Sequence, residues 1–191
     1  MAKEKFRWTQ LKRLVFVTGR PNIGKTSVLR QAVSILETDG YTIGGMISRE
    51  VRDQGVRVGF EIVNLITQQK GWLAHIKQPR GPRIGKYRVN MNDLNVIGAT
   101  SILEATSGAD VIVIDEIGGM ELRSAEFRKA ADSAVNSSKP VIGALHSTIR
   151  DPLIDSIRSS SDAEILEVTV ENRGSLHTVI VDRVAQFLAR S

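Results

Sequence analysis

The 191-residue chain predicts a three-layer α/β fold, with a mostly parallel central sheet and helices on both faces. Three observations carry that expectation. Strand-like and helix-like stretches alternate along nearly the whole length. The run Val111-Ile112-Val113-Ile114 is unbroken and β-branched, as in a parallel strand covered on both sides. A glycine-rich turn, from Gly19 to Thr26, joins an apolar run to a helical pattern.

Taken in order, Leu14-Val15-Phe16-Val17 reads as a short buried strand. After the turn, Val28, Leu29, Ala32, Val33 and Leu36 recur at helical spacing. Residues 41–47 form a second strand. Residues 56–63 alternate polar and apolar, the pattern of an edge or hairpin strand, behind a Gln54-Gly55 turn. Short strands at 73–76 and 86–89 bound a loop holding Pro79 and Pro82, and 56–89 is expected as a small antiparallel insertion rather than a second domain. A helix should run from about Asp93 to Thr106, capped by Asn92 or Asp93. Beyond the 111–114 strand the pattern gives a helix at 124–136, a central strand at 140–145 and a short helix at 151–158. A strand at 165–170 and a helix at 175–189 follow.

Composition bounds the function. The length suits one such domain, here 1–191, and 41% hydrophobic content supports a core. No run approaches 18 apolar residues and no apolar leader opens the chain, so the expectation is a cytoplasmic protein without a membrane partner. With no cysteine, disulfides, thiolate catalysis and cysteine-ligated zinc are excluded. His75, His146 and His177 are too scattered for a local metal motif. The net charge of +5 gathers in two runs. A basic arm at 1–10 continues into Lys12 and Arg13, and Lys77, Arg80, Arg83, Lys86 and Arg88 follow one another with no acid between. Either run could touch nucleic acid; the plain reading of the first is a solvated tail, and the second is equally suited to neutralising a polyphosphate.

The ligand class comes from the turn. Gly19, Gly24, Lys25 and Thr26 satisfy G-x-x-x-x-G-K-[ST], the phosphate-cradling loop. The two glycines permit a path in which successive amides face phosphate oxygens, and the next helix adds its unpaired N–H groups. Lys25 has the reach for the β and γ oxygens, Thr26 offers its hydroxyl to Mg²⁺, and Ser27 approaches the α-phosphate. Arg20, Pro21, Asn22 and Ile23 shape the loop. Downstream, the 111–114 strand runs into Asp115-Glu116. Asp115 fits a carboxylate holding Mg²⁺ through water, and Glu116 a base polarising the attacking water. Gly118 and Gly119 allow a close turn over the nucleotide. Glu121 either meets a basic group or favours a helical first turn. If the 140–145 strand lies between the other two, His146 ends beside the γ-phosphate as a sensor; a local hydrogen bond is the other reading.

These stretches together resemble the THEP1 family of small nucleoside-triphosphatases, the cancer-related type, over nearly the whole chain. The resemblance rests on residues 17–26, Glu50-Val51-Arg52, residues 57–63, Gly85-Lys86-Tyr87-Arg88-Val89-Asn90, the stretch Asp115-Glu116-Ile117-Gly118-Gly119-Met120-Glu121-Leu122, Leu145-His146 and Asn172-Arg173. It implies a P-loop NTPase fold of RecA-like and kinase-like type. It also implies Mg²⁺-dependent hydrolysis of ATP, GTP and other nucleoside triphosphates to diphosphate and phosphate, with broad base tolerance. Glu116 would be the catalytic base, and Asn172 and Arg173 would lie near the base or ribose. Asn22 stands where the family usually has glycine, and Gly119 where it often has lysine. A nucleoside or nucleotide kinase is the second reading, and a nucleotide-switched nucleic-acid binder the third. Arg20, Arg80, Arg83 and Arg173 are candidates for an added cation.

Overall fold

The computed structural model describes residues 11–190, so the basic arm at 1–10 lies outside the described residues. Among the described residues nine strands form one sheet. They are β1 (Leu14–Thr18), β2 (Ile43–Asp53), β3 (Val56–Asn64), β4 (Lys70–His75), β5 (Arg83–Ile84), β6 (Tyr87–Val89), β7 (Val111–Ile117), β8 (Val141–Leu145) and β9 (Ala163–Glu167), in spatial order β5-β6-β4-β3-β2-β7-β8-β1-β9. From β2 to β9 every pairing is parallel, and from β2 out to β5 every pairing is antiparallel. The sheet is therefore mixed, a parallel half carrying an antiparallel wing.

Alternation along the strands sorts the core into two layers. Leu14, Phe16, Ile112 and Ile114 join one cluster with Ile102, Phe127 and Ile157. Val15, Val17, Val111 and Val113 join the other with Val28, Leu29, Ile180 and Val184. The first face is covered by α3 (Thr100–Gly108), α4 (Ala125–Asn136) and α5 (Pro152–Ser159), the second by α1 (Lys25–Thr38) and α6 (Leu176–Leu188). α3 continues a one-turn helix α2 (Met91–Asp93) through a π-helical stretch, Leu94–Ala99.

Two expectations change. The helix expected to be capped by Asn92 or Asp93 is capped by Asn90, whose extended backbone (φ −83°) lets its side chain accept the Asp93 amide. The Asp93 carboxylate is used elsewhere, accepting the Trp72 amide at 2.8 Å and tying the helix to β4. The second strand is longer than 41–47. It passes β7 altogether: only Ile43 to Ile47 pair with β7, and Ser48 to Asp53 pair with β3 alone. The close approach to β7 requires Gly45, at φ 104°, where a Cβ would stand 2.1 Å from the Val113 carbonyl oxygen.

Ser124 caps α4 by accepting the Phe127 amide at 2.9 Å and donates to Asn95 Oδ1 at 2.6 Å, joining the π-helical stretch to α4. Both bonds are shielded, since Ser124 is fully buried. Ser124→Ala should destabilise the chain by about 1–2 kcal/mol. Urea unfolding measures it, and an unchanged midpoint would contradict the role.

Candidate active site

β1 ends at Thr18, whose hydroxyl donates to the Leu145 carbonyl at 3.1 Å and joins the tips of β1 and β8. The chain then turns through Gly19 (φ 146°), Asn22 (φ 62°) and Gly24 (φ 117°) before α1 begins at Lys25. Asn22 occupies the left-handed region, which explains how it stands in a usual glycine position: asparagine is among the few side chains that tolerate it. Ile23 is buried in the core beneath the loop. Gly24 caps α1 without a side chain, so the first amides of the helix have no side-chain acceptor.

The two halves of the site meet. Lys25 Nζ lies 3.3 Å from Glu116 Oε2 and 3.3 Å from the Gly19 carbonyl oxygen. The Thr26 hydroxyl donates to Asp115 Oδ1 at 3.2 Å. A bulge sets the acids: β7 and β8 are in register through Ile114–Gly143 and again at Ile117–Leu145, so three steps on β7 oppose two on β8. Asp115 is fully buried, and its Oδ2 has no hydrogen-bond partner among the described residues. Burial first, and then the charge of Glu116, push its carboxyl up to about 7 against the opposing Thr26 hydrogen bond.

Glu121 belongs to the same cluster, in a 3₁₀ turn (Glu121–Arg123) after β7. It meets no basic partner among the described residues and is buried. A Cβ on Gly118 would lie 3.2 Å from Glu116 Oε1 and 3.2 Å from Glu121 Oε2, so this glycine is where two carboxyl groups converge. Burial, then the Glu116 charge, raise the Glu121 carboxyl to about 8. The turn is held from outside: Arg128 Nε donates to the Leu122 carbonyl at 2.8 Å, and its fork grips Asp151, the cap of α5.

The raised Glu121 group has a consequence of fixed sign. Between its ordinary value of 4.5 and about 8, the folded chain keeps a proton the unfolded chain has released. Its contribution is complete below the lower value and disappears as pH rises through the upper one. The thermal midpoint should therefore fall on going from about pH 5 to about pH 8.5, and Glu121→Gln should flatten part of that fall. An equally steep fall in the variant would remove Glu121 as its origin.

β8 does lie between β1 and β7. His146 follows it, half-buried at the cleft wall, with its backbone amide on the Ile117 carbonyl at 3.1 Å and Nδ1 accepting the Thr148 amide at 3.4 Å. Arg158 donates to the carbonyls of His146 and Ser147, at 2.7 and 3.0 Å, and holds this loop in place.

A cleft of about 1030 Å³ opens over these tips, lined on the loop side by Gly19, Pro21, Asn22, Gly24, Thr26 and Ser27. Lys25, Glu116, Gly118, Gly119 and His146 continue the wall. Asp115 is buried below it. Arg20 is exposed beside the loop, and Asn172 and Arg173 are in the connection from β9 to α6. Both ends of the Asn172 amide are engaged, accepting the Thr169 amide and donating to the Glu167 carbonyl at 2.8 Å each. Arg173 Cδ lies 3.8 Å from where a Cβ on Gly24 would stand.

The basic run at 77–88 is not at the site. Lys77, Arg80, Arg83, Lys86 and Arg88 are exposed along the outer wing, because β4 to β6 lie at the far edge of the sheet. Only Ile84 of that segment lines the cleft. The arginines that do line it are Arg30, Arg49, Arg52, Arg57 and Arg123. Sequence reasoning named none of them as site cations. Their one local sign is the polar end of the second strand, Arg49-Glu50-Val51-Arg52.

Comparison with known proteins finds relatives over most of the chain. A family model described as NTPase matches residues 14–181. Nucleoside-triphosphatase THEP1 of Thermofilum pendens is 39% identical over 175 residues, covering 91% of this chain and 96% of that protein. Its counterpart in Methanosarcina acetivorans is 42% identical over 170 residues, covering 88% and 95%. The crystal structure of THEP1 from the hyperthermophile Aquifex aeolicus superposes with a TM-score of 0.78 at 28% identity, covering 90% of this chain and 98% of that one. The solution structure of a human cancer-related nucleoside triphosphatase gives 0.79 at 33%, covering 91% and 98%.

Proposed function

The chain belongs to the THEP1 family of nucleoside-triphosphatases, enzymes with the α/β P-loop fold, and from that premise we propose Mg²⁺-dependent hydrolysis of nucleoside triphosphates at the cleft over β1, β8 and β7. The observation that carries this reading is the pair of contacts Lys25–Glu116 and Thr26–Asp115, which join the phosphate loop to the acid-tipped strand.

Thr26 and Asp115, the latter through water, would hold Mg²⁺. The fit rests on the Oδ2 of buried Asp115, a carboxylate oxygen without a hydrogen-bond partner among the described residues. No group of three or more carboxylate or histidine side chains suited to a metal occurs among the described residues. Magnesium sites of this type take one or two protein ligands and complete the shell with phosphate oxygens and water. When bound, the ion supplies positive charge to the β and γ oxygens.

The chain's own groups do the rest. The amides from Gly19 to Ser27 and the uncapped start of α1 hold the phosphates. Lys25 follows the charge that grows on the transferring group, and an arriving γ-phosphate competes with Glu116 for its ammonium. Glu116, released from that pair, accepts a hydrogen bond from the attacking water and orients it in line. Protonated Glu121 adds no second negative charge beside Glu116. His146 stands at the wall as the sensor of the γ-phosphate. Base tolerance follows from which groups are free: the loop reads phosphate, and Asn172 spends both ends of its amide on its own backbone turn. Arg173 lays its stem near Gly24, and its guanidinium has no partner among the described residues.

Phosphate release from ATP, GTP, CTP and UTP, with Mg²⁺ and with excess chelator, tests the reading. Release from all four that stops in chelator is expected. Undiminished release in chelator would overturn the metal's part, and release from one base alone would overturn the tolerance.

A further inference from the structure

The cleft extends well beyond the phosphate loop. At about 1030 Å³ it sits at the top of the range of roughly 300–1,000 Å³ that encloses a whole drug-sized ligand. Its far part is built by the wing. Ile47 of β2 is level with Asp115, so Ser48 to Asp53 project past the acids of β7 and pair only with β3. That overhang lies across β7 from the phosphate loop, on the side away from Arg173 and α6.

Two kinds of side chain line this part. The floor is apolar: Phe60, Ile84, Met120 and Ile149, all packed on the core beneath. Three guanidinium groups line the cleft as well, those of Arg52, Arg57 and Arg123. Glu50 holds the first two, accepting from Arg52 at 2.8 Å and from Arg57. Burial works against the charge of Glu50, but hydrogen bonds from Arg57 and then Arg52 outweigh it and keep the carboxyl below its ordinary value. Arg57 is further fixed by donating to the Tyr87 hydroxyl at 2.9 Å and by stacking 5.1 Å from the Phe60 ring centre. Arg52 also donates to the Gly55 carbonyl at 3.0 Å. Two of its five donors are thus engaged, and the guanidinium is held in place with donors to spare. Arg123 has no side-chain partner among the described residues. Around the whole cleft six basic side chains face three acidic ones, with Arg49 paired to Glu61 outside the lining, so the cleft as a whole favours an anion.

We propose that this wing-side chamber is a second binding site, for a phosphomonoester carrying a flat apolar body, a nucleoside 5′-monophosphate by class. Its phosphate lies between Arg52 and Arg123, and its base rests on the floor around Phe60. Planar forks match phosphate oxygens pairwise, and an aromatic floor beside a guanidinium suits a base. Glu50 ties two of these cations together beside an apolar floor, an arrangement that suits a small ligand with an apolar body rather than a nucleic-acid backbone, which needs a long run of charge. The inference rests on a triphosphate occupying the phosphate loop as proposed above.

The test is calorimetric titration of the full chain with adenosine 5′-monophosphate in saturating Mg²⁺ and a non-hydrolysable ATP analogue. Adenosine and inorganic phosphate are titrated separately as the two halves of the probe. One equivalent of monophosphate should bind beside the analogue, with each half weaker by about tenfold or more. Arg52→Ala and Arg123→Ala should each lower monophosphate affinity by about tenfold, the loss of a charge-assisted contact. Both side chains are exposed enough for the variants to fold, which circular dichroism checks. Lys129→Ala, an exposed change on α4, should leave the affinity as it was. Analogue binding with no monophosphate heat, or monophosphate that only displaces the analogue, overturns the second site and leaves the first reading standing. Failure of the analogue itself to bind overturns both.

Discussion

Glu116→Gln is expected to bind a nucleoside triphosphate at least as tightly as the parent chain and to lose about 10²–10⁴-fold in turnover. The change is nearly isosteric, so the bulge of β7 and the packing around Gly118 are kept. What disappears is the negative charge proposed to orient the attacking water. Binding should even tighten slightly, because Lys25 no longer divides its ammonium between Glu116 and the γ-phosphate. A single-turnover assay beside a titration with a non-hydrolysable analogue separates the two effects. Turnover within about twofold of the parent would remove Glu116 from the chemistry.

Lys25→Ala should weaken both binding and turnover, with turnover falling by about 10²–10³-fold, the loss associated with one preorganised group on developing charge. Lys25 is one of the few buried charged residues among the described residues, 9% exposed, and its ammonium is held between a carbonyl and a carboxylate. Removing it leaves Glu116 without its cation, beside two acids already held above their usual range by burial. The variant should therefore also lose thermal stability, most at high pH, where those acids ionise. A calorimetric titration with ATP and a melting series across pH read the two effects. Unaltered ATP affinity would refute the assignment.

Much of the candidate site was legible because its chemistry is local. The loop from Gly19 to Thr26 needs residue types at fixed spacing along one turn, and spacing is what a sequence displays. Asp115 and Glu116 were legible for a related reason: a β-branched run ending in acids marks the tip of a buried strand. The strand order that sets His146 beside β7 was foreseeable only as a condition, and the sheet meets it. Glu121 was left between two readings because burial among other acids is a property of the fold around it. The cap of the helix after β6 went to Asn90 because Asp93 answers to Trp72, twenty-one residues away.

The basic run at 77–88 shows the opposite failure. Clustered charge in sequence suggested a role at the phosphates, yet an antiparallel wing carries that segment to the outer edge of the sheet. The arginines that reach the cleft are separated along the chain. Arg30 comes from α1, Arg49 and Arg52 from β2, Arg57 from β3 and Arg123 from the turn after β7.

The amino-acid pattern alone determined the layered α/β architecture, the phosphate loop and the acid-tipped strand, since hydrophobic period and turn chemistry act over a few residues. Tertiary structure decided how far β2 overhangs β7, which carboxyl groups are dehydrated together, and which guanidinium groups share one chamber. Those outcomes depend on strand register and on water exclusion, and both are set by contacts between segments far apart in the chain.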